Sequence, residues 1–167
     1  MIKNNKMRSA FWAIIIVFLF SACTDQKREY KREVWGIFVK HWYSRPLPTQ
    51  GVVYVYKKGT QFKELIDTVR VTSITRGGDT TDLACIFRKK KFNHLNDLRL
   101  VLDDTLAYDI SNIEIILFKD QRRWGMWGPT EWDLIPSLLV NGHVTRDTTP
   151  AGMLAFPREC GRIIKKR

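Results

Sequence analysis

The chain has 3 His and 3 Cys, the side chains most often recruited as metal ligands, nucleophiles and general bases. Their spacing opposes each of those uses. His41, His94 and His143 stand far apart in sequence. None opens a His-x-x-x-His pair, which would put two imidazoles on one helix face for zinc. There is no Cys-x-x-Cys and no Gly-x-Ser-x-Gly strand-to-helix elbow, so the standard redox and nucleophile readings fail. Arg76-Gly77-Gly78-Asp79 lacks the Lys and the following helix of a phosphate-cradling loop. His94-Leu95-Asn96-Asp97 could set a carboxylate beside an imidazole, but such pairs are far more often loop hydrogen bonds. Asp103-Asp104 could contribute to a calcium site, which needs about six to eight oxygens; a turn explains the pair better. No catalytic set, no metal ligands and no cofactor are implied, and nothing positive supports an enzyme. An envelope hydrolase or accessory enzyme, which a deep pocket around His94, Asp97 or Asp103 would favour, is the alternative to a binding module.

Recognition chemistry is better represented. Arg122-Arg123-Trp124-Gly125-Met126-Trp127-Gly128-Pro129-Thr130-Glu131-Trp132 holds three of the 6 Trp. Gly125, Gly128 and Pro129 place it near a loop or strand corner. Trp124, Trp127 and Trp132 could stack on sugar rings while Arg122, Arg123 and Glu131 hydrogen-bond hydroxyls, or the group could anchor a protein partner, since Trp and Arg are enriched at binding hot spots. It could also touch a membrane. The plainer reading is that these rings fill the ends of the core, where large aromatics bury most area. Trp35, Trp42, Tyr43, Tyr54 and Tyr56 fit strand packing equally well.

The elements that must position these residues read as strands. Val34–Lys40 and Val52–Lys57 are short runs of Val, Ile and aromatics, separated by the loop signal Arg45-Pro46-Leu47-Pro48-Thr49-Gln50-Gly51. Ile66–Thr75 is rich in β-branched residues, and Gln61–Asp67 could make a helical turn. In Leu98–Phe118 apolar and polar residues alternate. A three-residue loop, Asp103-Asp104-Thr105, pairs Leu102 with Leu106, Leu100 with Tyr108 and Leu98 with Ile110, which keeps one apolar face in step. A tight turn at Ser111-Asn112 would then pair Ile110 with Ile113, at the cost of setting Asp109 opposite Glu114; a bulge there would avoid that cost. Asn141-Gly142, after Leu134–Val140 and before His143–Arg146, is a strong hairpin signal. The expected fold is all-β, an antiparallel β-sandwich of immunoglobulin-like or related type, with a small open barrel as the alternative.

The first residues are of a different kind. Lys3, Lys6 and Arg8 precede an unbroken apolar run, Ala10–Phe20, and then Ser21-Ala22-Cys23. A basic start, an apolar stretch of about 7–15 residues and small residues at a cut site form the secretory signal pattern. The run is shorter than the roughly 18 residues a membrane span needs. Phe20-Ser21-Ala22-Cys23 resembles the lipobox of bacterial lipoproteins, although Leu is usual where Phe20 stands. The resemblance covers these 23 residues only. It implies that Cys23 is acylated, that 1–22 is removed as a signal helix, and that the acyl chains hold the protein on a membrane. Thr24 in place of the Asp that retains some lipoproteins at the inner membrane favours the outer one.

On this reading 23–33 is the lipidated Cys with a polar tether, 34–160 the sandwich and 161–167 a basic tail. Removing 1–22 leaves 145 residues with 25 basic and 17 acidic side chains, one ordinary domain with a net charge near +8. Basic clusters at Lys27-Arg28, Lys31-Arg32, Arg88–Lys91, Arg122-Arg123 and Arg162–Arg167 would suit nucleic acid in a cytosolic protein. Outside the cytoplasm they suit an anionic lipid, lipopolysaccharide or acidic glycan, or simply a solvated surface. Nucleic acid is therefore not the expected partner; an envelope protein, a glycan or an anionic lipid is. With Cys23 acylated, Cys85 and Cys160 form an even pair that an oxidising compartment could join. The alternative is two thiols, with Cys85 packed in the core.

Overall fold

The computed structural model describes residues 33–77, 81–87, 92–120, 130–146, 148–150 and 152–164, with the backbone alone for 119–120 and 130–132. The chain divides into Met1–Tyr30, which lies outside those residues together with Cys23, and Lys31–Arg167, which carries the fold. Strands run in the order β1 (Glu33–Val34), β2 (Gly36–Lys40), β3 (Gly51–Tyr56), β4 (Leu65–Arg70), β5 (Ser73–Arg76), β6 (Leu83–Ile86), β7 (Phe92–Asn93) and β8 (Asp97–Leu102). Then come β9 (Leu106–Ser111), β10 (Ile116–Asp120), β11 (Thr130–Ile135), β12 (Leu138–Val140), β13 (His143–Thr145), β14 (Thr149–Pro150), β15 (Met153–Pro157) and β16 (Arg162–Ile163).

The larger sheet has the order β13-β12-β9-β8-β3-β4, with β16 also on β9. The second is β15-β2-β6-β5, in which β15 runs parallel to β2. Alternation drives their packing. Along β3, Val53 and Val55 point inward while Val52, Tyr54 and Tyr56 are half-buried, and the period of two puts one side chain in each pair on the core face. Val53, Leu100 and Tyr108 form one inward row and Val55, Leu98 and Ile110 the next. From the other sheet come Ile37, Val39, Leu83, Leu154 and Phe156, all fully buried, and the two sets form one continuous core. The Tyr108 and Phe156 rings meet across the sheets at 5.0 Å. Each such side chain contributes about 1.5–3 kcal/mol when buried. The fold is an all-β sandwich, as the alternation predicts.

The three-residue loop has the expected register: Leu102 faces Leu106, Leu100 faces Tyr108 and Leu98 faces Ile110. Asp103 and Asp104 both adopt left-handed backbone there (φ 47° and 53°). The Asn141-Gly142 turn also forms, joining Val140 to His143 with φ 49° and 82°, the signature of a type I′ hairpin. The turn at Ser111-Asn112 does not. The free edge of β9 is taken by β12, with Ile110 opposite Val140, and further along by β16, with Ala107 opposite Arg162. The chain leaves at Asn112, and β10 pairs with β11 instead. The like-charge clash is thereby avoided: Asp109 lies opposite Arg99, and Glu114 accepts from the Ser137 hydroxyl at 2.7 Å.

Three other expectations change. The run Ile66–Thr75 is two strands in two sheets. Val71 N–H still donates to Gly51 of β3, whereas Thr72 donates to Ile86 of β6, so the chain changes sheets at that step. Gln61–Asp67 makes no helical turn, because Gln61 and Phe62 are both left-handed (φ 53° and 59°). Arg162 and Ile163 belong to the sheet and not to a tail, and Glu33 pairs with Asn93.

Candidate functional site

Four segments gather at one end of the sandwich: 41–50, 81–82, 103–105 and 158–161. The first carries the most unusual backbone. His41 and Tyr43 hold φ of 61° and 53°, a region that costs a bulky L-residue about 1–2 kcal/mol. Neighbouring groups hold it there. Tyr43 N–H donates to the Thr81 carbonyl at 2.8 Å, and His41 N–H to the Asp82 carboxylate at 3.2 Å. The Arg76 guanidinium donates to the carbonyls of Tyr43 and Arg45. Between the strained residues, Trp42 is buried in the core, and its indole N–H donates to the Pro46 carbonyl at 3.0 Å. The loop ends on Asp103, whose Oδ1 accepts from Thr49 N–H, Thr49 Oγ1 and Gln50 N–H at 2.9, 2.9 and 3.0 Å.

This folding opens a cleft of about 360 Å³. Trp42, Arg45, Leu47 and Pro48 of the 41–50 loop line it together with Leu106, Arg158 and Ile163. The Arg158 guanidinium lies over the Trp42 ring at 5.5 Å from its centre. Arg158 Nε is closed off from solvent and has no hydrogen-bond partner. Ile163 is 78% exposed and Leu47 38%, so apolar surface faces outward where the cleft opens.

Around the corner His41 stacks on Tyr43, with ring centres 5.8 Å apart. His41 Nδ1 lies 3.5 Å from a Glu159 carboxylate oxygen. The Glu159 carboxyl is held below its ordinary range, first by its own backbone N–H and then by His41. Beyond Tyr43 and Ser44 a shallow depression of about 560 Å³ runs to Arg76 and Thr81.

The residues singled out from sequence are not brought together. His94 lies in the turn after β7, where Leu95 N–H donates to the Asn93 side chain at 3.0 Å. Asp97 is buried and accepts from Gly59 N–H at 3.0 Å; His143 sits exposed at the β12–β13 turn. Among the described residues no three His, Cys, Asp or Glu side chains are grouped to hold a metal. Arg122, Arg123, Trp124 and Trp127 lie outside the described residues. Glu131 and Trp132 are placed by backbone register alone, opposite Lys119 and Phe118. The Cys85–Cys160 bond is not formed. Both are free thiols: Cys85 is packed in the core, and Cys160 is half-buried in the 3₁₀ turn Arg158–Cys160. Burial pushes the Cys85 thiol up to about 12 and raises the Cys160 thiol too.

Sequence reasoning missed the cleft. In the sequence Arg45–Gly51 reads as a plain loop and Trp42 as strand packing, and Arg158 is more than a hundred residues away from both. No family model, no curated protein and no solved structure matches the chain.

Proposed function

We propose that the protein is an exported lipoprotein, acylated at Cys23 and held on the outer membrane of a cell envelope, where its β-sandwich serves as a non-enzymatic binding module. The observation that carries the anchor is the succession of Lys3, Lys6 and Arg8, the apolar run Ala10–Phe20, and Ser21-Ala22-Cys23. Anchoring by several acyl chains is strong, since each buried methylene contributes about 0.8 kcal/mol. The binding half of the proposal draws on the cleft beside Trp42, where apolar wall and cationic side chains meet at a loop end. Catalysis draws no comparable support, because Asp97 and Asp103, the carboxylates nearest to a catalytic reading, accept backbone N–H groups from adjoining loops. The partner classes are an envelope protein, a glycan or an anionic lipid.

Intact mass and membrane fractionation of the expressed chain, beside a Cys23→Ala variant, test the anchor. The expected result is a processed, acylated wild type that sediments with membranes and a variant that does neither. A wild type that remains unprocessed and soluble overturns the proposal.

A further inference from the structure

The Arg158 guanidinium is a charged group placed where this chain does not use it fully. Its Cζ lies over the Trp42 ring, 5.5 Å from the centre, and its Nε is buried without an acceptor. A buried donor left unmade is costly, and such groups are rare. Closed off from solvent, Nε is out of reach of an incoming group, so an acceptor in the cleft would meet the terminal Nη groups. The planar guanidinium fork matches a carboxylate through two parallel N–H bonds. The rest of the cleft defines what carries that carboxylate. Leu47, Leu106 and Ile163 present apolar surface, and a volume of about 360 Å³ lies at the small end of ligand pockets. Arg45, also among the lining residues, adds a second positive charge. One carboxylate also lines the wall: Asp103 turns its Oδ1 to Thr49 and Gln50, from which it accepts three hydrogen bonds, and it leaves the two arginines with one positive charge in excess.

We propose that the cleft between the 41–48 loop and Arg158 binds a single carboxylate carried on a short apolar group, with Arg158 gripping the anion and Leu47, Leu106 and Ile163 covering the apolar part. This deepens the binding-module reading and rests on it. The same chemistry is offered by a free small acid and by the C-terminal residue of a peptide.

The experiment is saturation-transfer NMR on the full chain in phospholipid nanodiscs, with empty nanodiscs as the blank. The probes are N-acetyl-leucine, its uncharged amide, and an acetylated tripeptide ending in leucine with a free carboxylate. The free acid binds, and the amide binds at least about ten-fold more weakly, the loss expected when a charge-assisted bond is removed. Arg158→Gln loses a similar factor and Arg158→Lys loses less. Leu47→Glu, on an exposed loop position that the fold does not need, sets a negative charge at the mouth and weakens the acid as well. That variant decides the matter if Arg158→Gln does not fold by circular dichroism. Tighter binding of the tripeptide than of the acid assigns peptide ends as the source, and the reverse assigns a small acid. Equal binding of acid and amide, or binding unchanged by both Arg158→Gln and Leu47→Glu, overturns the proposal. Intact mass read on the same preparation separates the two ideas: acid bound without acylation refutes only the anchor, and acylation without bound acid refutes only the cleft.

Discussion

Replacing Asn141, half-buried in its turn, should destabilise the domain strongly, because its side chain joins three segments. Its Nδ2 donates to the Ala107 carbonyl at 3.0 Å and to the Cys160 carbonyl at 2.7 Å. Its Oδ1 accepts from Asp109 N–H at 3.0 Å, and its own N–H donates to the Asp109 carbonyl at 2.8 Å. Asn141 thus occupies the gap on the edge of β9 between β12 and β16. A net hydrogen bond contributes about 1 kcal/mol, so three side-chain bonds amount to about 3 kcal/mol. Asn141 also holds φ 49°, where Ala adds a further penalty of about 1–2 kcal/mol. Asn141→Ala is expected to lose about 4 kcal/mol and Asn141→Gly, which tolerates the backbone, about 3. Asn141→Asp keeps the acceptor, loses both donors and should fall close to the glycine variant. Urea unfolding followed by tryptophan fluorescence measures all three. With a slope of about 1.5 kcal/mol per molar urea, the glycine variant's midpoint should fall by about 2 M. A glycine variant within about 0.5 kcal/mol of wild type would show that water replaces these bonds at little cost, and the reasoning would fail.

Two glycines with left-handed backbone provide an internal comparison: Gly152→Ala would bring a Cβ within 2.6 Å of the Trp35 indole nitrogen, whereas Gly59→Ala meets nothing within 4 Å. Thermal melts should show Gly59→Ala costing about 1 kcal/mol and Gly152→Ala clearly more; equal costs would refute the placement of Trp35. Thiol titration with an aromatic disulfide at pH 8 should find Cys160 reactive in the native chain and Cys85 only after unfolding, since burial shields Cys85. The raised Cys85 pKa, with Tyr108 raised by burial too, stabilises the fold below the unfolded values and is lost as pH climbs from about 9 through 12. Cys85→Ala should flatten that alkaline loss in a stability-against-pH series.

Legibility followed the range of each interaction. The hairpin from Leu98 to Ile110 was readable because one apolar face and a short loop specify it locally. Asn141-Gly142 was readable because a type I′ turn demands positive φ at both positions. The path past Ser111 is not legible locally, because β12, almost thirty residues on, takes the edge that a local hairpin would use. Asp109 shows the same effect: its apparent clash with Glu114 is replaced by ion pairs with Arg99 and, at 3.1 Å, with Arg162. Arg99 is further packed over Tyr56 and Phe62, at 5.6 and 5.3 Å from the ring centres. The cleft was least legible, since Trp42 and Arg158 meet only after both sheets have formed. Neither residue belongs to a motif with fixed spacing.

The parallel pairing of β15 with β2 bears on when this chain can become itself. Gly36 is matched to Met153 and Lys40 to Pro157, so a strand near the start of the domain is completed by one near its end. Contacts so distant in sequence form slowly, and here the edge of the second sheet stays open until almost the whole domain has been released. On the export route proposed above, a chain threaded through a translocation channel from its first residue would therefore remain loose during most of its passage. It would close on the far side in one late step, with the strand that completes the sheet among the last to emerge.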